Sequence, residues 1–133
     1  LAKIVKPFGV QLLLDCYECS HEAIDNLDIG YTFLEEAVEV LGVHKQAPPY
    51  IFRTPTEFED KAGLSGVVML VESSIVLHTL CVRDYVSIDY YTCSIIDRYK
   101  KSALIELAQD TFNPTHIETQ FLKRGRAYYG QTA

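Results

Sequence analysis

The chain has 133 residues, 48% hydrophobic and 23% charged, enough for one domain with a real core. A formal net charge of -6 and a pI near 5.1 argue against nonspecific binding to nucleic acid or to an anionic membrane surface. No apolar run approaches the roughly 20 residues of a membrane helix, and the opening LAKIVKPFG has neither the long apolar stretch nor the cleavage site of a secretory signal.

Residues 8–17, FGVQLLLDCY, predict a strand by apolar content and length. Ser20 predicts the N-cap of a helix running to about residue 41, with Phe33, Leu34, Ala37, Val38 and Leu41 on one face and Gly42 at the C-cap. Residues 43–53 predict a strand interrupted by Pro48-Pro49, hence an irregular or edge one. TPTEFEDKAG, residues 54–63, is a polar loop, followed by strand-like segments at 65–71, 75–81 and 85–92. Residues 96–110 predict an amphipathic helix with Ile96, Tyr99, Ala103 and Leu107 near one face. Asn113-Pro114 breaks the chain, and residues 115–123 alternate like a final half-buried strand. This order predicts a single α+β domain over 1–133: a two-layer sandwich, a mainly antiparallel sheet with helices on one face. The open face of such a sheet needs a cover, which self-association would supply.

Cys16, Cys19, Cys81 and Cys93 are expected to be thiols in a reducing cytoplasm. Cys16-x-x-Cys19 has the spacing of half a zinc site or of a thioredoxin-like redox pair, but no second pair exists and in a strand its two side chains would point to opposite faces. His21, His44 and His116 fall near element ends, where solvated side chains are expected, whereas His78 lies in an apolar strand. No Gly-rich phosphate loop is present, and Lys123-Arg124-Gly125-Arg126 reads as a solvated basic tail, with anion binding as the alternative. One feature lacks a local explanation. In VVMLVESSIVLH, residues 67–78, two apolar runs are broken by Glu72, Ser73 and Ser74 without a turn residue among them.

SGVVMLVESSIVLHT followed by YVSIDYYTC resembles the core of the bacterial and archaeal S-adenosylmethionine decarboxylases. Ser65-Gly66, Glu72-Ser73, His78-Thr79 and Thr92-Cys93 all fall in register with that family's motifs, and FGVQLLLDCYEC is similar to its opening strand. The resemblance implies a self-cleaving decarboxylase of polyamine biosynthesis whose pyruvoyl cofactor derives from Ser73, with no metal and no PLP. Ser73 Oγ would attack the Glu72 carbonyl, and β-elimination of the resulting ester would leave a β chain of residues 1–72 and an α chain of residues 73–133. By family match, Ser65 assists processing, His78 is the processing base and Cys93 donates a proton during turnover. A hairpin would let Ser65 and Ser73 face each other, with His78 on the returning strand. The substrate would be an amine-bearing small molecule held as a Schiff base, and the assembly a homodimer of αβ units with active sites near the interface.

The departures concern substrate. After His-Thr the family usually has Trp-Pro-Glu or close variants, where this chain has Leu80-Cys81-Val82. Phe58 is one place out of the register of the family's adenine-stacking aromatic, Ser94 replaces a usual Gly and Gln11 a usual His. S-adenosylmethionine is the first substrate expected. Free L-arginine or L-ornithine is the alternative, with Glu57, Glu59, Asp60 and Asp84 as candidate partners for a distal cation. A non-catalytic binding homologue is the third reading, and it requires no cleavage.

Overall fold

Alternation makes the strands. In the computed structural model, which describes residues 7–130, apolar side chains at every second position of β1 (Gly9–Tyr17), β3 (Leu64–Leu70), β4 (Ser73–Leu80) and β5 (Tyr85–Thr92) point to one buried face. The reading of the opening as no secretory signal falls largely on residues 1–6, outside the described range. With β2 (Tyr50–Arg53) and β6 (His116–Arg124) the strands form a six-stranded sheet in the order β2-β3-β4-β5-β1-β6, every neighbouring pair antiparallel. The expected α+β sandwich is observed.

The single helix predicted to 41 is two, α1 (His21–Ile24) and α2 (Leu27–Leu41). Ser20 makes no side-chain cap; Asn26 does, accepting the Ile29 N–H at 3.1 Å. An Asn side chain competes for backbone donors, so it starts a helix more readily than it sits inside one. Gly42 ends α2 in the left-handed conformation at φ 65°, as its type predicts. The helix predicted at 96–110 spans Arg98–Phe112 (α3), capped by Asp97. Its buried stripe is Leu104, Leu107, Ala108 and Phe112, while Tyr99 is exposed: the apolar face was read one step off.

Two edges also correct the sequence reading. Only Tyr50–Arg53 of the 43–53 segment is a strand; upstream of the prolines a lone Lys45–Leu70 bridge remains, because Pro cannot donate to a ladder. β6 is almost wholly exposed rather than half-buried, with Arg124 donating to Gln11 Oε1 at 2.6 Å, so the basic segment begins in a strand and not as a tail.

The core lies between the sheet and the helices. Leu12, Leu14, Ile75, Leu77, Val86, Ile88 and Tyr90 meet Phe33, Leu34, Leu41, Leu104 and Phe112, with the Phe33 and Phe112 rings 5.1 Å apart. Each such side chain contributes about 1.5–3 kcal/mol on burial. Gly66 admits α2 to the sheet: a Cβ there would meet Leu34 Cδ1 at 2.9 Å. The opposite face of the sheet is uncovered and carries Tyr50, Phe52, Met69 and Leu122 among its exposed apolar groups.

Thr79 ties the layers together. Its buried Oγ1 accepts the Leu64 N–H at 2.8 Å and donates to the Ile24 carbonyl at 2.7 Å. Thr79→Val keeps the shape but strips a buried donor and a buried acceptor of their partner. Urea unfolding should show a loss of about 2–3 kcal/mol, against little change for Ser87→Ala on the open face.

Candidate active site

The break in VVMLVESSIVLH is narrower than the sequence suggested. β3 runs to Leu70 and β4 starts at Ser73, with Leu70 and Ser73 paired, so only Val71 and Glu72 form the turn. Glu72 takes a left-handed φ of 60°, a conformation that costs a non-glycine residue roughly 1–2 kcal/mol. Strain therefore sits on the residue whose carbonyl precedes Ser73.

Ser73 pairs with Thr92 at the end of β5, and both side chains turn toward the core. Ser73 Oγ donates to Thr92 Oγ1 at 2.9 Å, and the Ser94 N–H donates to the same oxygen at 3.0 Å. Beneath them Tyr90 is fully buried, and its hydroxyl makes no hydrogen bond of good geometry, although Thr92 offsets part of the upward push of burial on the phenol. The residues just beyond this pair, Glu72 and Cys93, also meet: Cys93 Sγ donates to Glu72 Oε2 at 2.8 Å. That carboxylate, followed by burial, raises the Cys93 thiol above its ordinary range. Glu72, Ser73, Thr92 and Cys93 thus form one cluster at one end of the sheet. A cavity of about 300 Å³ opens beside Cys93, walled by Phe8, Val10, Ile95 and Phe121.

Ser65 and His78 form a second cluster. They are register partners on the uncovered face, with Ser65 Oγ 3.1 Å from His78 Nδ1, and both are exposed. The expectation that Ser65 and Ser73 face each other across the hairpin is overturned. The turn pairs Ser73 with Leu70 and Ser65 with His78, and the odd register step sends Ser73 to the opposite face from both. Five residue steps along β4 separate Ser73 from His78, about 17 Å at ~3.4 Å per residue. One chain does not bring these clusters together.

The other candidates are dispersed. Glu18 at φ 52° turns the chain after β1, so Cys19 re-enters the core beside Cys16 instead of facing away from it. Burial, then mutual repulsion with Cys19 and Asp15, pushes Cys16 up to about 12. Burial and Asp84 push Cys19 up to about 11, so both are inert thiols. Among the described residues no cluster of His, Cys, Asp and Glu has the makings of a metal site. His21 is bonded to Asp84 at 2.8 Å, and His116, exposed as expected, lays one ring face on Tyr17. Glu57 and, in a short 3-10 turn, Glu59 and Asp60 are exposed, though Glu59 joins Asp25, Arg53 and Phe58 around a cavity of about 350 Å³ at the N-terminal end of β3. Leu80-Cys81-Val82 leaves β4 for a short 3-10 turn, and Cys81 is raised by burial and by Asp25. Thr92 as a partner of Ser73, and Phe8 and Phe121 as cavity walls, were missed from sequence. The Thr-Cys ending of β5 was the available signal for the first.

A family model described as S-adenosylmethionine decarboxylase matches residues 10–125. A curated relative named S-adenosylmethionine decarboxylase proenzyme, from Sulfurihydrogenibium sp., is 30% identical over 120 residues, covering 90% of this chain and 84% of that protein. A proenzyme of the same name from Thermoplasma acidophilum is 31% identical over 117 residues, 88% of this chain and 83% of its own. The crystal structure of the adenosylmethionine decarboxylase from Aquifex aeolicus superposes with a TM-score of 0.74 at 27% identity, over 90% of this chain and 92% of that one.

Proposed function

The chain belongs to the S-adenosylmethionine decarboxylase family, and from that premise we propose that it is a self-cleaving, pyruvoyl-dependent decarboxylase of S-adenosylmethionine. The observation that carries the reading is the Glu72–Ser73 bond: a strained left-handed Glu72, followed by a serine hydroxyl fixed by Thr92, beside the thiol of Cys93. These residues fit a group made from Ser73, since the nucleophile, the carbonyl it attacks and a proton donor lie together at one strand end.

In the processing step, Ser73 Oγ attacks the Glu72 carbonyl carbon, the peptide C–N bond breaks, and an ester forms with a free amine on residue 73. His78 is the base that takes the Ser73 α-proton, and the ester leaves as the Glu72 carboxylate. The dehydroalanine so formed takes up water and loses ammonia, giving a pyruvoyl group. The products are a β chain of 1–72 and an α chain of 73–133. Ser65, bonded to His78 Nδ1, holds that ring for the step. A pyruvoyl group at residue 73 would supply an electrophilic ketone for the substrate amine and an electron sink for decarboxylation, without metal or PLP. Cys93 then gives its proton to the product.

His78 and Ser65 are about 17 Å from Ser73 in one chain, so the reading requires a second copy. In a homodimer of αβ units, the second copy's His78 would approach this chain's Ser73 at the turn, where the backbone of the scissile bond lies at the end of the sheet. The apolar and aromatic walls of the cavity beside Cys93 favour a purine ring over the cation of a free amino acid. The alternative, a decarboxylase of free L-arginine or L-ornithine, is supported by Leu80-Cys81-Val82, which removes an aromatic and a carboxylate from the usual substrate motif.

Intact-mass measurement should find two chains divided between Glu72 and Ser73, the second with a blocked N-terminus, and one uncut chain for Ser73→Ala. A single uncut wild-type chain would instead favour a binding homologue. In parallel assays the mature protein should release CO2 from S-adenosylmethionine and not from arginine or ornithine; the reverse pattern moves it to the alternative. Co-expression of Ser73→Ala with His78→Ala should yield a blocked α chain from the His78→Ala partner, which neither variant yields alone. No such product would mean that His78 acts within its own chain or not at all.

A further inference from the structure

Glu72 has a second part to play, separate from supplying the carbonyl that is cut. Because Ser73 and Thr92 are register partners in antiparallel strands, the residue before one and the residue after the other must meet. They meet through side chains, Cys93 Sγ to Glu72 Oε2, at 2.8 Å. We propose that Glu72 is a positioning residue whose carboxylate holds Cys93 as a protonated thiol, aimed at the reacting carbon. The proposal rests on the reading of Cys93 as the proton donor.

The physical argument has two parts. Only the S–H form of Cys93 can donate to a carboxylate, and a thiolate at that separation would face a like charge. Both effects act in one direction, and the raised thiol agrees with them. Among the described residues the cavity side of Cys93 presents no ionisable group, with Phe8, Val10, Ile95 and Phe121 as its walls, and only a backbone hydrogen bond acts against the carboxylate. Tyr90 beneath is itself a neutral phenol raised by burial. A free thiol titrates near 8.5, close enough to neutrality for part of it to be lost as a proton donor. When CO2 departs, the electron pair left on the substrate carbon takes the proton of Cys93. The S–H bond breaks, a C–H bond forms, and solvent returns a proton to the thiolate.

The test uses uncut Ser73→Ala protein, in which no cofactor forms. Alkylation by iodoacetamide is followed against pH and read at Cys93 by mass spectrometry, with buried Cys16 and Cys19 as unreactive internal controls. Adding Glu72→Gln should move the Cys93 midpoint to lower pH and speed labelling at pH 7.5 by about three- to tenfold. Glu72→Asp should lie between. An unchanged Cys93 profile in Glu72→Gln protein with unaltered circular dichroism overturns the proposal. In the mature enzyme, Glu72→Gln should shift the alkaline limb of kcat to lower pH with KM unchanged. A thiol that shifts without moving that limb also overturns it. If the wild-type chain never cleaves while the alkylation shift is found, the decarboxylase reading fails and the Glu72–Cys93 pairing stands.

Discussion

The two-residue turn at Val71–Glu72 is the constraint on which the rest of the site depends. A hairpin this short fixes the register of β3 against β4, and a slip of one residue would exchange the faces of every side chain on the returning strand. With the observed register Ser73 enters the core side, where Thr92 waits, and His78 faces outward beside Ser65. The same register aligns Ser73 with the last residue of β5 and so delivers Cys93 to Glu72. Strain at Glu72, the fixed hydroxyl of Ser73 and the clasped thiol are three results of one turn.

Much of this architecture was legible in the sequence, and the failures have physical causes. β1, β5 and the Gly42 cap were found because alternation and a left-handed glycine are local signals. The division of the first helix was missed because Asn26 fits the helical spacing by position and departs from it only by its side chain. The α3 stripe was misread because Tyr99 is apolar enough to join a face, yet it sits one turn before the core begins. At the site, motif resemblance picked out Ser65, Glu72, Ser73, His78 and Cys93, but order along a chain does not encode pairing. Placing Ser65 opposite Ser73 required a register that only the turn decides, and the bond between Glu72 and Cys93 depends on that register in turn.

The uncovered face is better prepared for burial than its charge suggests. Tyr85 donates to Asp15 and Tyr17 donates to Glu118, so two carboxylates arrive already hydrogen-bonded. The Asp89 carboxyl is raised by burial and by Asp15, while neighbouring His78 pulls it down. Covering Asp15 and Glu118 therefore costs less than covering bare carboxylates would. Exposed Tyr50, Phe52 and Met69 add apolar area beside this polar centre. A two-fold partner on this face would meet a surface of mixed character, as interfaces commonly are.

Strand order has a consequence for a molecule divided after Glu72. One fragment would own β1, β2 and β3, the other β4, β5 and β6, yet in the sheet β1 lies between β5 and β6. The α2–α3 contact through Phe33 and Phe112 crosses the divide as well. The two pieces are interleaved, and alone each would keep only one strand pair, β2-β3 or β4-β5. An uncut chain folds in a first-order process, whereas two pieces that drift apart on denaturation must find each other again at a rate set by their concentration. Division at this turn would thus exchange reversible stability for kinetic persistence, and would make the precursor the form in which the fold is won.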